Sequence, residues 1–171
     1  FSKTFKNFGW NCDFVDPDNI SNFENSIRDN TKFIFIETLS NPDGSVVDIE
    51  KVSKIAKKNH IPLIVDNTLA TPFIHNPIDW GANIITHSLT KFICGNGTSM
   101  GGIVIDCGNF DFLEDDKYPG LSEPNQSYNG IKFSETFGDF GYAMKVKADT
   151  LRDLGCTLSP QNPFNILNGL E

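Results

Sequence analysis

The sequence lacks the long apolar runs and the leader that mark membrane or secreted chains. No stretch approaches the roughly 18 consecutive apolar residues that indicate a membrane-spanning helix. The opening segment, FSKTFKNFGWNCDFVD, contains no charged region followed by an apolar one. We therefore expect a chain that neither spans a membrane nor carries a signal peptide, and a cytoplasmic location.

Cysteine is scarce, and its spacing argues against sulfur-based sites. The cysteines, Cys12, Cys94, Cys107 and Cys156, are far apart, form no C-x-x-C pair and have no histidine at metal-ligand spacing. Closely spaced cysteines and histidines are the sequence signature of zinc sites, and disulfide frameworks belong to short secreted chains. The pattern therefore predicts four reduced thiols and no metal site.

Positive charge is also in short supply. The 14 lysines and arginines are outnumbered by 22 aspartates and glutamates, which gives a net charge of -8, and the basic residues form no cluster. Proteins that bind DNA or RNA need clustered basic residues to neutralise phosphates. Nucleic acid is therefore not an expected partner.

The composition that remains is that of a folded protein. A length of 171 residues is enough to bury a hydrophobic core. The contents of 39% hydrophobic and 21% charged residues are ordinary for globular proteins, which argues against disorder.

Short apolar segments alternate along the chain with amphipathic ones. Apolar runs predict strands at 11–15, 32–37, 62–66, 82–88 and 101–106. Helical spacing predicts helices at 21–29 with Ser21 as a cap, at 49–60 behind an Asp48 cap, and at 139–154 with Gly155 as its end. Strands that alternate with helices predict an α/β fold, in which a mostly parallel sheet is buried by helices on both faces.

Residues 108–130 interrupt this alternation. They are rich in turn residues and show no periodicity, as in YPGLSEPNQSYNG, which predicts a long surface loop. Loops of this length are uncommon unless they have a function. Near the end of the sequence, Pro163 predicts the start of another helix.

Polar residues suited to one site follow three of the predicted strands. Asn41, Asp66 and Lys91 each lie at or just beyond a strand end, and successive members are 25 positions apart. One strand-helix-strand step takes about 30 residues, so these groups fall at the same edge of successive units. Parallel sheets bind ligands at this edge, outside the carboxyl ends of the strands.

An amine and a carboxylate at one sheet edge suit pyridoxal phosphate. This cofactor needs a lysine for its Schiff base and an acid that faces its pyridinium nitrogen. Ser88 and Thr90 flank Lys91 with hydroxyls that can donate to a phosphate, and the glycines that follow permit close approach of the backbone. The pattern predicts a cofactor site that contains these residues and Asp66.

Each residue also has an interpretation without a cofactor. Lys91 is one of twelve lysines and can be a solvated charge, whereas Asp66 and the Asn41-Pro42 pair can be turn residues. His87 is expected to be packed in the structure rather than to act as a base. The equal spacing of the three strand ends is what favours a shared site.

Four longer segments resemble one enzyme family. They are ETLSNPDGSVVDI, PLIVDNTLATPF, GANIITHSLTKFICGNGTSMGGIVID and PGLSEPNQSYNG. These segments are similar to the cystathionine gamma-synthase group of Cys/Met metabolism enzymes, which have fold type I and use pyridoxal phosphate, and especially to its O-acetylhomoserine sulfhydrylase branch. The resemblance runs along essentially the whole chain.

The resemblance implies a role for each candidate residue. Lys91 would carry the cofactor as a Schiff base, and Asp66 would pair with the pyridinium nitrogen. The other implied contacts are Asn41 to the phenolic oxygen, Thr68 beside the ring, and Ser88 and Thr90 to the phosphate. The residues Cys-Gly-Asn-Gly at 94–97 depart from the Gly-Gly-His-Gly that is usual in the branch, next to the expected phosphate position.

The resemblance also implies that parts of the enzyme lie outside this sequence. The family has a second phosphate-binding glycine loop and a ring-stacking tyrosine upstream, and an arginine for the substrate carboxylate in a C-terminal domain. We expect residues 1–155 to form part of the large cofactor-binding domain, and residues 156–171 to begin the connection to the C-terminal domain.

The implied reaction converts O-acetylhomoserine and sulfide to homocysteine and acetate, in methionine and cysteine biosynthesis, by a homotetramer. Two alternatives remain open. One is a cystathionine gamma-synthase or lyase, or a methionine gamma-lyase, with the same cofactor. The other is a truncated, non-catalytic chain that serves in binding or assembly. An unrelated nucleotide-binding domain is less favoured, because no G-x-G-x-x-G follows a strand.

Overall fold

A four-stranded sheet forms the centre of the protein. The structure is a computed structural model, and it describes residues 1–170. The strands are β1 (Ile34–Glu37), β2 (Leu63–Asp66), β3 (Ile84–Ser88) and β4 (Gly102–Asp106), in that spatial order. β1, β2 and β3 run parallel, and β4 runs antiparallel to β3. The mostly parallel α/β sheet predicted from the sequence is therefore confirmed.

Helices connect and flank the strands. The α-helices are α1 (Ser21–Ser26), α2 (Ile49–Lys58), α3 (Thr71–Ile74), α4 (Pro119–Ser122), α5 (Phe133–Phe137), α6 (Gly141–Lys145), α7 (Arg152–Leu154) and α8 (Gln161–Leu167). A π-helical segment, Val146–Leu151, joins α6 to α7, and 3-10 turns cover Phe5–Phe8, Pro77–Trp80, Gln126–Tyr128 and Gly138–Phe140. Within residues 1–170, no helix is both long and apolar enough to cross a membrane.

α2 covers one face of the sheet because its apolar residues lie on a single side. Asp48 caps it by accepting a hydrogen bond from the Lys51 N–H (3.0 Å), as predicted. Val52 and Ala56 are almost fully buried and belong to the same apolar cluster as the core residues of β1 and β2. Complete burial of a valine side chain such as that of Val52 contributes about 2 kcal/mol.

The opposite face carries a second core that is largely aromatic. Ile84 of β3 packs with Phe112, Leu121 and Phe133, all of which are buried. The rings of Phe112 and Tyr118 meet edge to face with centroids 5.3 Å apart. Since α4 and α5 supply two of these residues, the prediction of helices on both faces of the sheet is confirmed.

The prediction of a long surface loop over 108–130 is wrong in part. Phe112 and Leu121 from this segment are each 7% exposed, and they anchor it in the second core. Turn residues dominate the sequence here and conceal single apolar anchors, because isolated buried residues produce no periodic pattern.

The helix predicted over 139–154 is confirmed, and it runs from α6 through the π-helical segment to α7. The carbonyl of Ala148, which lies in the π-helical segment, accepts a hydrogen bond from the Tyr128 hydroxyl. Gly155 ends the helix with a left-handed φ of 67°, as predicted. Pro163 lies in the first turn of α8 rather than at its start, since α8 begins two residues earlier.

Two predictions for the N-terminal part are wrong. Residues 11–15 form no strand, because no neighbouring strand offers its backbone to them within the described residues, and Phe14 is 74% exposed. Ser21 does not cap α1. It is the first residue of that helix, and its hydroxyl donates instead to Asn19 Oδ1 (2.6 Å).

β4 departs from the expectation of a sheet buried on both faces. Ile103, Val104 and Ile105 are 44%, 49% and 37% exposed, whereas Leu63 and Val65 of β2 are fully buried. In the part of the chain that the structure describes, β4 pairs only with β3 and is an edge strand. The burial expected on both faces therefore applies to the centre of the sheet only.

Candidate cofactor site

Three neighbouring strands bring polar side chains to one edge of the sheet. Glu37, Asp66 and Thr86 are in register on β1, β2 and β3. Residues in register on parallel strands point to the same face, so these three side chains share a face at or near the carboxyl ends of their strands. Asp66 closes the central strand of the three, at the edge where parallel sheets bind ligands.

Asp66 is held by the residue two positions along the chain. Its Oδ1 accepts hydrogen bonds from the Thr68 N–H (2.9 Å) and from the Thr68 hydroxyl. The same hydroxyl oxygen accepts the Ser88 N–H at 2.8 Å. Thr68 therefore connects the carboxylate on β2 to the end of β3, and it fixes one oxygen of Asp66 while the other has no hydrogen-bond partner within residues 1–170.

Lys91 lies in the turn that follows β3. Its N–H donates to the Ser88 carbonyl (3.3 Å), and its own carbonyl accepts the Gly95 N–H (2.8 Å). Ile93 and Cys94, two and three residues further along, are buried, so they anchor the backbone of the turn. The Lys91 side chain is exposed, and no carboxylate of the described chain forms an ion pair with it.

The two predicted phosphate ligands differ in what they bind in this structure. The Ser88 hydroxyl has no hydrogen-bond partner among residues 1–170, and the residue is half-buried. The Thr90 hydroxyl is engaged with Gly101: it accepts the Gly101 N–H (3.1 Å) and lies 3.3 Å from the Gly101 carbonyl. Thr90 thus closes the loop that follows Lys91.

Asn41 lies further out than the other candidates. It is exposed, four residues beyond the end of β1, and its N–H donates to Glu37 Oε2 (3.3 Å). The Asn41-Pro42 peptide bond is cis. The structure therefore joins Asp66, Thr68 and Ser88 by hydrogen bonds and places Lys91 on the adjoining turn. It shows no contact between Asn41 and that group in the described chain.

His87 is packed in the interior, as expected from the sequence. It is 4% exposed, and its Nδ1 has no partner in the described chain. Burial lowers the pKa of His87 below its ordinary value, although a hydrogen bond with the Asn67 backbone and the charge of Asp66 act in the opposite direction. A buried neutral imidazole is the expected state.

Asn67 lies between two candidate residues, Asp66 and Thr68, and no sequence motif points to it. Its side chain is 0% exposed. Its Oδ1 accepts from the Thr38 hydroxyl and its Nδ2 donates to the His75 carbonyl, both at 2.8 Å. The only available sequence signal was an amide in the middle of an apolar and hydroxyl-rich segment, and its partners are distant along the chain.

Asn96, one of the residues by which 94–97 depart from the pattern usual in the branch, organises the loop after Lys91. Its Oδ1 accepts from the Thr98 N–H (3.1 Å) and hydroxyl (2.7 Å) and from the Cys94 thiol (3.1 Å). Gly95 and Gly97, on either side, have φ of 70° and 69°, which a residue with a side chain rarely adopts. All four cysteines are free, and the described residues contain no group of His, Cys, Asp and Glu side chains placed to hold a metal ion.

These residues fit pyridoxal phosphate. The cofactor requires an accessible lysine amine, a carboxylate for its ring nitrogen and donors for its phosphate. Lys91 and Ser88 have side chains without partners in the described chain, and Asp66 has one oxygen fixed and one open. Thr90 fits less well, because Gly101 already occupies its hydroxyl. The mostly parallel sheet and this donor set suit an enzyme that carries its cofactor on a lysine.

Comparison with known proteins identifies the family. The pattern of the family described as Cys/Met metabolism PLP-dependent enzyme matches residues 1–171. The chain belongs to this family, and its resemblance to the family is confirmed.

Two curated relatives illustrate the match. O-acetyl-L-homoserine sulfhydrylase of Leptospira meyeri is 43% identical, over 98% of this chain and 40% of that protein. Homocysteine/cysteine synthase of Saccharomyces cerevisiae is 41% identical, over 100% of this chain and 39% of that protein. The chain thus spans about two fifths of the length of these relatives.

Solved structures agree on the fold. A putative O-acetylhomoserine (thiol)-lyase of Campylobacter jejuni, which carries a pyridoxyl-lysine phosphate adduct, superposes with a TM-score of 0.92 at 40% identity, covering 99% of this chain and 42% of that one. O-acetylhomoserine sulfhydrylase of Wolinella succinogenes gives 0.83 at 32%, covering 99% and 45%. Cystathionine gamma-lyase of Lactobacillus plantarum gives 0.71 at 25%, covering 98% and 35%.

Proposed function

We propose that this chain is part of a pyridoxal-phosphate enzyme that converts O-acetylhomoserine and sulfide to homocysteine and acetate. The observation that carries the proposal is the match of nearly the whole chain to relatives named O-acetyl-L-homoserine sulfhydrylase and homocysteine/cysteine synthase, at 43% and 41% identity. The arrangement of Asp66, Thr68, Ser88 and Lys91 at one sheet edge supports the cofactor part of the proposal.

The proposed roles are those that the resemblance to the family implies for each side chain. Lys91 would bind the cofactor covalently, and Asp66, one oxygen of which is not paired with Thr68, would accept a hydrogen bond from the ring nitrogen. The other proposed contacts are Asn41 to the phenolic oxygen, Thr68 to the ring, and Ser88 and Thr90 to the phosphate. When bound, the cofactor supplies an electron sink for the carbanion that forms at the substrate.

The protein supplies orientation and proton transfer. The Lys91 amine would accept the proton from the α carbon of the substrate and would move protons at the β carbon. Its position is set by a turn whose backbone is anchored through Ile93 and Cys94. Acetate then leaves from the γ carbon, and hydrosulfide adds at the same carbon.

A related substrate is the second candidate. Cystathionine gamma-lyase of Lactobacillus plantarum shares the fold, but at 25% identity it is further from this chain than the sulfhydrylases are. The full-length enzyme should therefore consume O-acetylhomoserine with sulfide much faster than it consumes cystathionine or methionine. A preference for cystathionine or methionine in the same assay would favour the second candidate over the sulfhydrylase.

The remaining parts of the proposal concern the whole enzyme. We propose that residues 1–155 form part of the large cofactor-binding domain and that residues 156–171 begin the connection to a C-terminal domain. We also propose a cytoplasmic homotetramer that acts on an amino-acid substrate and sulfide. A full-length protein that folds without binding pyridoxal phosphate would favour the non-catalytic alternative.

Borohydride reduction of the full-length enzyme tests the assignment of the lysine. Reduction converts a lysine-bound cofactor to a stable pyridoxyl-lysine, which peptide mass spectrometry locates, and we expect the label on the peptide that contains Lys91. Lys91→Ala should abolish both the label and the visible absorbance of the bound cofactor. Lys57→Ala, at an exposed lysine of α2, is the matched control and should retain both. A label on another lysine would refute the assignment.

A further inference from the structure

Asn67 is the best-connected buried polar residue near the site, and the roles proposed above make no use of it. It is 0% exposed and lies between β2 and α3. A buried amide destabilises a protein unless its polar atoms are paired. The side-chain amide of Asn67 is paired with the Thr38 hydroxyl and the His75 carbonyl. Its backbone N–H and carbonyl are paired with Thr86 and Thr71, so this one residue links the segment after β1 to β3 and to α3.

The contacts on the strand side fix the peptide that joins Asp66 to Asn67. The Asp66 carbonyl accepts the Thr38 N–H (3.0 Å), and the Asn67 N–H donates to the Thr86 carbonyl (2.9 Å). The Thr38 hydroxyl adds a third bond, to Asn67 Oδ1 (2.8 Å). Thr38, the residue after β1, therefore binds both residues, and the planar peptide between them is held by Thr38 on one side and by Thr86 of β3 on the other.

The contacts on the helix side fix both ends of α3. The Asn67 carbonyl accepts the Thr71 N–H (3.0 Å), and its Nδ2 donates to the His75 carbonyl (2.8 Å). Thr71 has a φ of 59°, an unfavourable conformation for a β-branched residue. A strained turn of this kind persists only when its surroundings determine it, and Asn67 provides two of the bonds that do so.

We propose that Asn67, held by a hydrogen bond from the Thr38 hydroxyl, is a positioning residue that orients the Asp66 carboxylate toward the cofactor ring. The peptide plane at Asp66 sets the direction of its Cα–Cβ bond, and Thr68 sets the rotation of the carboxylate about that bond. Asn67 thus acts through Asp66 without touching the cofactor. This inference rests on the proposed function for the role of Asp66, although the hydrogen-bond network stands without it.

Thr38→Val in the full-length enzyme is the test, because it removes the hydroxyl and keeps both the side-chain shape and the backbone N–H. We expect kcat to fall about tenfold, equivalent to about 1.4 kcal/mol, with the KM for the amino-acid substrate changed by less than about twofold. Thr38→Ser, which restores the donor, should recover kcat. Val52→Ala removes fully buried methyl groups from the core under α2, so it should lower the unfolding temperature and leave kcat unchanged.

Hydrogen exchange of the cofactor-free enzyme provides the readout that does not depend on catalysis. Amides of residues 66–71 should exchange roughly tenfold faster in Thr38→Val and at the wild-type rate in Val52→Ala. The inference is refuted if Thr38→Val behaves like Val52→Ala in both kcat and exchange, or if Thr38→Ser is as impaired as Thr38→Val. If the wild-type enzyme is inactive with every substrate while the exchange result holds, the proposed function fails and the network remains.

Discussion

The Thr68 hydroxyl connects the proposed acid to the strand that leads to the proposed lysine, and it can be removed without changing the size of the side chain. Thr68→Val keeps the methyl group that would contact the ring and loses the oxygen. Thr68→Ser does the reverse. The pair therefore separates the hydrogen-bonding role of Thr68 from the ring contact assigned to it by resemblance.

The magnitude follows from the two hydrogen bonds that the hydroxyl forms. It donates to the Asp66 carboxylate and accepts the Ser88 N–H at 2.8 Å. A bond to a charged group contributes about 1.5 kcal/mol or more, and an amide left unpaired costs about 1 kcal/mol or more when buried. Both residues are half-buried, so water replaces part of the loss. We expect the free energy of local opening to fall by about 2 kcal/mol.

Hydrogen exchange at the Ser88 amide measures this effect directly. A loss of about 2 kcal/mol corresponds to roughly 30-fold faster exchange, since each tenfold change is about 1.4 kcal/mol. In the full-length enzyme, peptides that cover β3 should show this acceleration for Thr68→Val and not for Thr68→Ser. Wild-type exchange at Ser88 in Thr68→Val would mean that the hydroxyl does not join the two strands, and the reasoning would fail.

The remaining predictions concern Asp66 and His87. Asp66→Asn preserves an oxygen that can accept the Thr68 N–H but removes the charge. The cofactor should therefore remain bound while turnover falls by orders of magnitude, and each tenfold loss corresponds to about 1.4 kcal/mol of barrier. Single-turnover rates measure this loss, and unchanged turnover would show that Asp66 does not have its proposed role. Burial lowers the pKa of His87 in the folded state, whereas its unfolded pKa is about 6.5. Its contribution to stability is therefore intact above that pH and is lost as pH falls toward the lower folded pKa. His87→Gln should flatten the decline of the unfolding temperature between about pH 7 and pH 5, within which unperturbed histidine titrates; an identical decline in variant and wild type would contradict the assignment.

Local pattern predicted the features that depend on neighbouring residues. The Asp48 cap of α2 and the Gly155 end of the helical stretch were correct, because capping depends on residues within one turn. The prediction of a strand at 11–15 was wrong because a strand depends on residues far away along the chain. A strand exists only if another strand pairs with it, and an alternating sequence does not reveal whether a partner is present.

In the candidate site as well, the sequence predicted some features correctly and missed those that depend on loop conformation. The polar residues that follow three predicted strands correctly indicated that the strand ends would meet at one edge, because β1, β2 and β3 are parallel neighbours. The strands themselves end at Glu37, Asp66 and Ser88, so the equal spacing of Asn41, Asp66 and Lys91 does not reflect a regular repeat of strand ends. Spacing could not reveal that Asn41 would lie beyond the group, since the conformation of the loop after β1 is not periodic.

By itself, the sequence determined the four strands of the sheet, the helix capped by Asp48, the edge at which the polar residues gather, and the family, because burial periodicity and motif spacing are properties of the chain. Only the tertiary structure decided which side chains remain open for a ligand. Thr90 is occupied by Gly101, eleven positions away, and Asn67 is held by Thr38, 29 positions away. Hydrogen bonds of that separation depend on the distances that the folded sheet creates, and no local pattern encodes them.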